Sequence, residues 1–562
     1  MKKTFLFFRF TVVSFLLVIL ISPVLFISCK AVPQSPENAE MSPDIVSGGS
    51  PRTFSNDSLV AVFHKGNLEL DPRMSYMSTE AQLFTAIYEG LFSYHPITLS
   101  PVPAAASSWE VSVDRREWTF HIREDARYEN GDPLRAQDFR NAWLSLLEPE
   151  REAPYSSLFD VIEGAREFRT GMAGAAQVGI TVVNDKTLVV RLNSPAAFFP
   201  SMLCHHSFSP IHPSMLNVDG WTRPVSNGPF VIEEMDEDII VLSKNDNYWD
   251  ARQVSLNSLV LRFTADPDEA AALWNSGEAR WVNSGVNYEA LTDRSGIELN
   301  AMFATNYFYI RSAREPWNDY RLRRALSLVL PWEEIRRGYI LPASTLIFPL
   351  PDYPDIAGLE ANDIDEALRL VTEAGYPGGV GLPELVIRIN PSQESQRLAL
   401  IMVEAWYTIL GVNIRIDMVS FDEYFDSTKL NDHDVASITW IGDFIDPYAF
   451  LQMWRRGSNL NEAGHNDNEF EALIERSMNE EGIPRMETLA EAEELLLHRG
   501  NVIPIAFYPA LNIISMNEID GWYPNVMDIH PFKYLSIRTR MPLPGVVELP
   551  ESNGSDIVLV RN

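Results

Sequence analysis

Trp118-Thr119-Phe120-His121-Ile122-Arg123 alternates apolar and polar residues, whereas Asn318-Asp319-Tyr320-Arg321-Leu322-Arg323-Arg324-Ala325-Leu326 does not. The first stretch has period two, which sets one face of a strand in a core and the other toward water. In the second, Leu322, Ala325, Leu326, Val329 and Leu330 fall at i, i+3, i+4, i+7 and i+8. Asn318 or Asp319 can cap that helix, and Pro331 ends it. Outward from these two stretches, alternation returns in parts of Thr187 to Leu192 and Ile239 to Leu242. Helical spacing returns in Leu398, Ile401, Met402, Ala405 and Ile409 before Gly411, and in Phe470, Leu473, Ile474 and Met478 after Asp467. Each stripe reads as a core face before anything else. Strands and helices interleave along the chain, so the class is mixed α/β in more than one lobe. No repeat of about 20–50 residues is visible, which excludes solenoids and propellers.

The chain has 562 residues, 46% of them hydrophobic and 22% charged, a globular balance with room for about three domains. Asp and Glu number 77 against 45 Lys and Arg, a formal net charge of −32. Nucleic acid is thereby disfavoured as a partner, because phosphates are bound by clustered Lys and Arg. Two cysteines, Cys29 and Cys204, give no disulfide framework, and Cys204 reads as a small buried hydrophobe.

The first 29 residues read as an address rather than a fold. Lys2, Lys3 and Arg9 precede an apolar run from Phe10 to Ile27, and small Ser28 stands just before Cys29. That pattern resembles a lipoprotein export signal in which Cys29 becomes the lipidated first residue; the alternative is an apolar segment that stays as a membrane anchor. Either way the body is expected outside the cytoplasmic membrane, periplasmic or in the cell envelope. Residues 30–55, rich in Pro, Ser, Gly and Asn, read as a flexible tether spanning roughly 28 Å.

The common catalytic signatures are missing: there is no G-x-x-x-x-G-K-[ST], no G-x-G-x-x-G and no H-E-x-x-H. Cys204-His205-His206 with His212 contains metal-ligand residue types. Adjacent residues of an extended segment point to opposite faces, however, so no metal site is expected there. Asp443 and Asp446, in Trp440-Ile441-Gly442-Asp443-Phe444-Ile445-Asp446-Pro447, could form the acid/base pair of a glycosidase. A carboxylate among aromatics and Gly suits a cationic ligand group equally well.

Several segments, in order, resemble the family 5 extracellular solute-binding proteins, the oligopeptide- and dipeptide-binding components of ABC importers. They are Glu89-Gly90-Leu91-Phe92, Ala106-Ser107-Ser108-Trp109-Glu110-Val111, Trp118 to Arg123, and Asn130-Gly131-Asp132-Pro133 with Gln137-Asp138-Phe139. Ser226-Asn227-Gly228-Pro229-Phe230, Lys244-Asn245-Asp246-Asn247-Tyr248-Trp249, Asn318 to Leu326 and Trp440 to Pro447 continue the series. Leu147-Glu148-Pro149 with Ala153-Pro154-Tyr155 points to the oligopeptide binders. The resemblance covers about Val60 to Leu535. It implies a bilobal, type II periplasmic-binding-protein fold with an extra inserted domain and hinge-connected lobes. The first lobe would comprise 56–90, 208–305 and 508–540, the inserted domain 91–207 and the second lobe 306–507, leaving 541–562 as a tail. It also implies ligand capture by lobe closure, short peptides as ligands, a permease with its ATPases as partner, a monomer, and no cofactor and no catalysis.

Position by position, the resemblance makes Asp443 the carboxylate that pairs with a peptide's α-ammonium. Trp440 and Ile441 become cleft neighbours, Tyr155 and Asn390 cleft residues, and Tyr508 an aromatic where the chain crosses between lobes. Ser395 and Ser437 stand where such relatives can place His and Arg for a ligand carboxylate, and Tyr76 stands in place of an acidic cleft residue. Lys429 is the nearest remaining cation. These departures keep a non-peptide ligand open, and a surface lipoprotein used for sensing or adhesion would show the same signal and lobes.

Overall fold

The computed structural model describes residues 58–538 except 219 and 284, with the side chains of 421 and 422 left aside. The export signal, Cys29, the tether and the tail 541–562 lie outside the described residues. Both stretches that decide the class take the expected form. Glu117–Ile122 is a strand with alternating burial. Asp319 accepts a hydrogen bond from the Arg321 N–H and starts the helix Tyr320–Leu328, while Asp467 caps Asn468–Ser477 in the same way. Helix Gln393–Leu410 ends at Gly411, whose positive φ of 71° suits glycine, and a Cβ there would strike the Gly378 carbonyl.

Two sheets organise the body. A four-stranded antiparallel sheet runs Ala106–Val111, Glu117–Ile122, Thr187–Arg191, Ile180–Asn184. A ten-stranded sheet runs Ile414–Met418, Leu385–Ile389, Val435–Ile441, Ile297–Ile310, Val502–Ile514, Trp281–Asn283, Ser58–His64, Ser258–Thr264, Ile239–Lys244, Phe230–Met235. The two strands at its centre are 14 and 13 residues long and antiparallel. Their register breaks between Ala301 and Thr305, opposite Pro509 and Phe507. Pro509 has no N–H for the ladder, which is where such a pair can bend. Each half of the large sheet thus hangs on the same two strands.

Buried side chains tie helices to these sheets: the Trp406 indole N–H donates to the Leu326 carbonyl at 2.7 Å, and that of Trp143 to the Phe208 carbonyl at 3.0 Å. Each fully buried aromatic or aliphatic side chain contributes about 1.5–3 kcal/mol.

One edge bears on function. Val435–Ile441 pairs with Ile297–Ile310 along its whole length. On its other side, among the described residues, it pairs with Leu385–Ile389 only at Val435 and Ala436. The Tyr424 hydroxyl then caps Ser437, accepting from its N–H at 3.0 Å and donating to its carbonyl at 2.9 Å. From Ile438 to Ile441 this side of the strand is without a ladder partner among the described residues.

Candidate ligand-binding site

Gly442 and Asp443 follow directly on that strand. The Gly442 N–H donates to the Phe303 carbonyl at 2.8 Å, and the Phe303 and Phe450 rings fill the space a side chain at 442 would need. Three residues further, Asp446 binds Arg485 through both oxygens at 2.7 and 2.8 Å and accepts from the Tyr448 N–H at 2.9 Å. Between these points Phe444 stacks on Phe198 with centroids 5.7 Å apart. Asp443 is therefore held from both sides. Asp446, committed to Arg485, is not available as the second member of an acid/base pair.

The Asp443 side chain is 5% exposed. Its Oδ1 lies 3.8 Å from His205 Nε2, beyond hydrogen-bond range, and its Oδ2 has no hydrogen-bond partner among the described residues. Burial pushes the carboxyl well above the usual carboxylate range, and the Tyr155 hydroxyl opposes the shift only in part. The buried imidazoles move the other way. Burial, and then the neighbouring His206, hold His205 well below the usual histidine value, and burial takes His206 down to about 4. A neutral His205 ring, backed by a neutral His206, thus faces a desolvated carboxyl, so the His205 contact is not an ion pair. A carboxylate in such a place needs a charged or multiply donating partner, and a compact cation bearing N–H groups is the chemistry that fits.

Tyr155 joins the two walls of this site. Its ring lies 4.4 Å from His205, 5.7 Å from His206 and 6.4 Å from Trp440. Asn459 fixes its segment by donating to the Ala153 carbonyl at 2.8 Å and to Ser156 Oγ at 2.9 Å. The Trp440 indole N–H donates to the Ala449 carbonyl at 3.2 Å, which sets that ring's orientation.

Asp443, Trp440 and Tyr155 are brought together, and the other sequence candidates lie in different settings. Ile441 packs beside Met302, Ala304 and Ala510. Asn390 accepts from the Ser392 N–H at 3.1 Å in the turn that opens the 393–410 helix. Lys429 is paired with Asp426 at 3.2 Å and about half exposed. Tyr508 is exposed on the Val502–Ile514 strand.

The histidines require a correction. The rings of His205 and His206 do not point apart: their centroids are 4.0 Å from each other. Residues 206–208 form a short 3-10 turn, with the His205 ring accepting from the Ser207 N–H at 3.3 Å, and alternation of faces applies only to extended chain. His212 sits elsewhere, 3.0 Å from Asp132. Among the described residues no group of three or more His, Cys, Asp or Glu could hold a metal ion, and no helix is long and apolar enough to cross a membrane. The sequence signal for His205 and His206 was their pairing; nothing in it located them beside Asp443.

Comparison with known proteins shows the family and the fold. The family described as bacterial extracellular solute-binding proteins, family 5, matches residues 100–462, more than half of the chain. Oligopeptide-binding protein OppA of Bacillus subtilis is 27% identical over 465 residues, covering 78% of this chain and 85% of the relative. Haemophilus influenzae OppA in complex with the peptide RPPGFSPFR superposes with a TM-score of 0.76 at 23% identity, covering 86% of this chain and 99% of that one. The murein tripeptide binding protein MppA of Escherichia coli gives 0.76 at 24% identity, covering 85% of this chain and 98% of that one. An unliganded open form of MppA gives only 0.61 at 25% identity, covering 86% of this chain and 97% of that one. The fold is the bilobal type II binding-protein fold, mixed α/β, and the chain belongs to the family 5 bacterial extracellular solute-binding proteins.

Proposed function

We propose that the protein is an extracytoplasmic binding lipoprotein, tethered through Cys29, that captures short peptides and delivers them to the permease of an ABC importer without chemistry of its own. The relatives' names, oligopeptide- and dipeptide-binding proteins, support the ligand class. The observation that carries the reading is Asp443, a buried carboxyl with one oxygen unpartnered among the described residues, standing just past a strand whose edge has no ladder partner among them from Ile438 to Ile441. A peptide's α-ammonium supplies the cation, and its backbone adds to the free edge as an extra strand. Tyr155 and Trp440 wall the ammonium end. Ile441, Asn390 and Tyr508 line the cleft further out, and Lys429 offers a charge for a ligand carboxylate. The lobes divide as 56–90, 208–305 and 508–540 against 306–507, with 91–207 inserted; the register break at Ala301/Thr305 lies close to that boundary. Closure is driven by ligand contacts that exist only when both walls meet.

Calorimetry with tri- and tetrapeptides, free or N-acetylated, tests this reading. Acetylation removes the ammonium and leaves Asp443 desolvated and unpaired, which costs about 2–5 kcal/mol, at least about thirty-fold in affinity. Equal affinity for both forms, or no binding of either, would overturn it.

A further inference from the structure

Glu80 is buried in the first turn of the helix Ser78–Ile87 and gathers three donors: the Glu69 N–H at 2.7 Å, the Ser75 hydroxyl at 2.6 Å and the Met77 N–H at 3.2 Å. The backbone on both sides of Tyr76 is thereby fixed. The Ser75 carbonyl also faces His206 Nε2 at 3.4 Å, so Tyr76 springs from the wall that carries His206 and His205 beside Asp443. Its ring ends against the other lobe. It meets Phe425 edge-on with centroids 6.4 Å apart, and the Lys429 ammonium lies 5.2 Å from its centre, tied back to Asp426 at 3.2 Å. A Lys over an aromatic face is attracted by the ring quadrupole. Phe425 is in turn next to Tyr424, whose hydroxyl ends the free edge at Ser437. Burial, with the Asp426, Glu462 and Glu80 carboxylates nearby, pushes the Tyr76 phenol up to about 12, so it stays neutral and cannot repel a ligand carboxylate.

We propose that Tyr76, closed onto Phe425 and Lys429, is a gate that ends the ligand groove and sets the longest peptide the protein accepts. The inference rests on the peptide reading above. From Ser437 to Asp443 is six positions along the chain. At about 3.3 Å per residue that is at most about 20 Å, so a strand anchored by its ammonium at Asp443 meets the gate within about six residues. A longer ligand must either push Tyr76 off Phe425, and with it hold the lobes apart, or surrender its ammonium contact. The Haemophilus relative is seen with the nine-residue RPPGFSPFR, a length this gate would refuse.

The test is affinity of the full chain for free-ended Ala-Ser repeat peptides of three, five, seven and nine residues, in the unaltered protein, Tyr76→Ala and Tyr76→Phe. The expected result is a fall of about thirty-fold or more between the five- and nine-residue peptides for the unaltered protein and for Tyr76→Phe, because the ring and not the hydroxyl closes the groove. In Tyr76→Ala the fall should shrink to about three-fold. A length profile in Tyr76→Ala identical to that of the unaltered protein overturns the gate while leaving the peptide reading intact. Loss of the three-residue peptide in Tyr76→Ala also overturns it, since the residue would then support binding as such. Absence of binding at every length in the unaltered protein overturns the peptide reading, and the gate falls with it.

Discussion

His205 Nε2 lies 3.8 Å from Asp443 Oδ1 with both side chains buried, and burial drives both groups toward their neutral forms. In the liganded, closed protein an ammonium would keep Asp443 ionised, while His205 and His206 stay neutral. Parting Asp443 from His205 uncovers that imidazole and returns it toward its ordinary value near 6.5, whereas His206 stays packed on Phe84, Tyr155 and the Ser75 carbonyl of its own wall. Protons then bind the open form better than the closed one as pH falls below about 6.5, and His205 weakens the closed complex by up to about 1.4 kcal/mol per pH unit. Peptide affinity should therefore be flat above about pH 7 and fall by at least about ten-fold from pH 6.5 to 5. Calorimetry across that range checks it, and His205→Gln should reduce the slope; a flat profile down to pH 5 would show that the ring is already hydrated when ligand is bound.

Asp443→Ala should remove peptide binding without unfolding the protein. Among the described residues the side chain makes no ion pair with a charged neighbour, and its loss also relieves the desolvation that raises its pKa. Affinity should drop by at least about thirty-fold while the thermal midpoint of the unliganded protein stays the same or rises. An unchanged dissociation constant would remove Asp443 from the recognition scheme.

Gly442→Ala probes the same carboxylate from behind. A Cβ at 442 would come within 2.4 Å of two Phe303 ring atoms and 3.1 Å of Phe450, so the strand end or the rings must move. Overpacking of this kind costs about 1–3 kcal/mol. Because Asp443 is the next residue, the displacement should also weaken binding of free peptides more than of N-acetylated ones. Chemical denaturation and calorimetry separate the two effects; loss of stability with the free-to-acetylated ratio intact would mean that Asp443 is positioned from the Asp446 side alone.

What could be read from the sequence follows range. The 117–122 strand and the helices behind Asp319 and Asp467 are written in local periodicity and capping, and they form where those signals put them. The site is written at long range. Tyr155, His205 and Asp443 are separated by 50 and 238 positions, and only the folded body brings a 3-10 turn, a loop and a strand end together. Motif resemblance stands in for that missing geometry, and it is what puts Trp440, Tyr155 and Asp443 forward as candidates. The packing of His205 on His206 was missed because alternation was applied to a segment that turns. Tyr424 over Ser437 had no local signal at all, since a phenol capping a strand edge leaves no periodicity.

Glu493 gives the body a pH dependence separate from that of the site. Its carboxylate is fully buried and holds the 346–353 loop: Oε1 accepts from the Leu346 and Ile347 N–H groups at 2.6 and 2.9 Å, and Oε2 from the Tyr353 hydroxyl at 2.7 Å. That loop lies on the two central strands, through Thr305 Oγ1 donating to the Leu346 carbonyl at 2.7 Å and Phe348 packed on Phe507 at 5.1 Å. Burial raises the Glu493 carboxyl to about 7, outweighing those three donors. A raised carboxyl contributes stability that is complete below its unfolded value, near 4.3, and is lost as pH rises through about 7. Across that whole window the loss amounts to about 3.5–4 kcal/mol. Glu493→Gln keeps an acceptor for the two N–H groups and cannot titrate. The unaltered protein should accordingly lose stability relative to Glu493→Gln by about 2–3 kcal/mol between pH 5 and 8 in chemical denaturation, other titrating groups cancelling in the difference. A difference that stays constant over that range would mean the carboxyl titrates in its ordinary window, and that water reaches the junction of loop and strands.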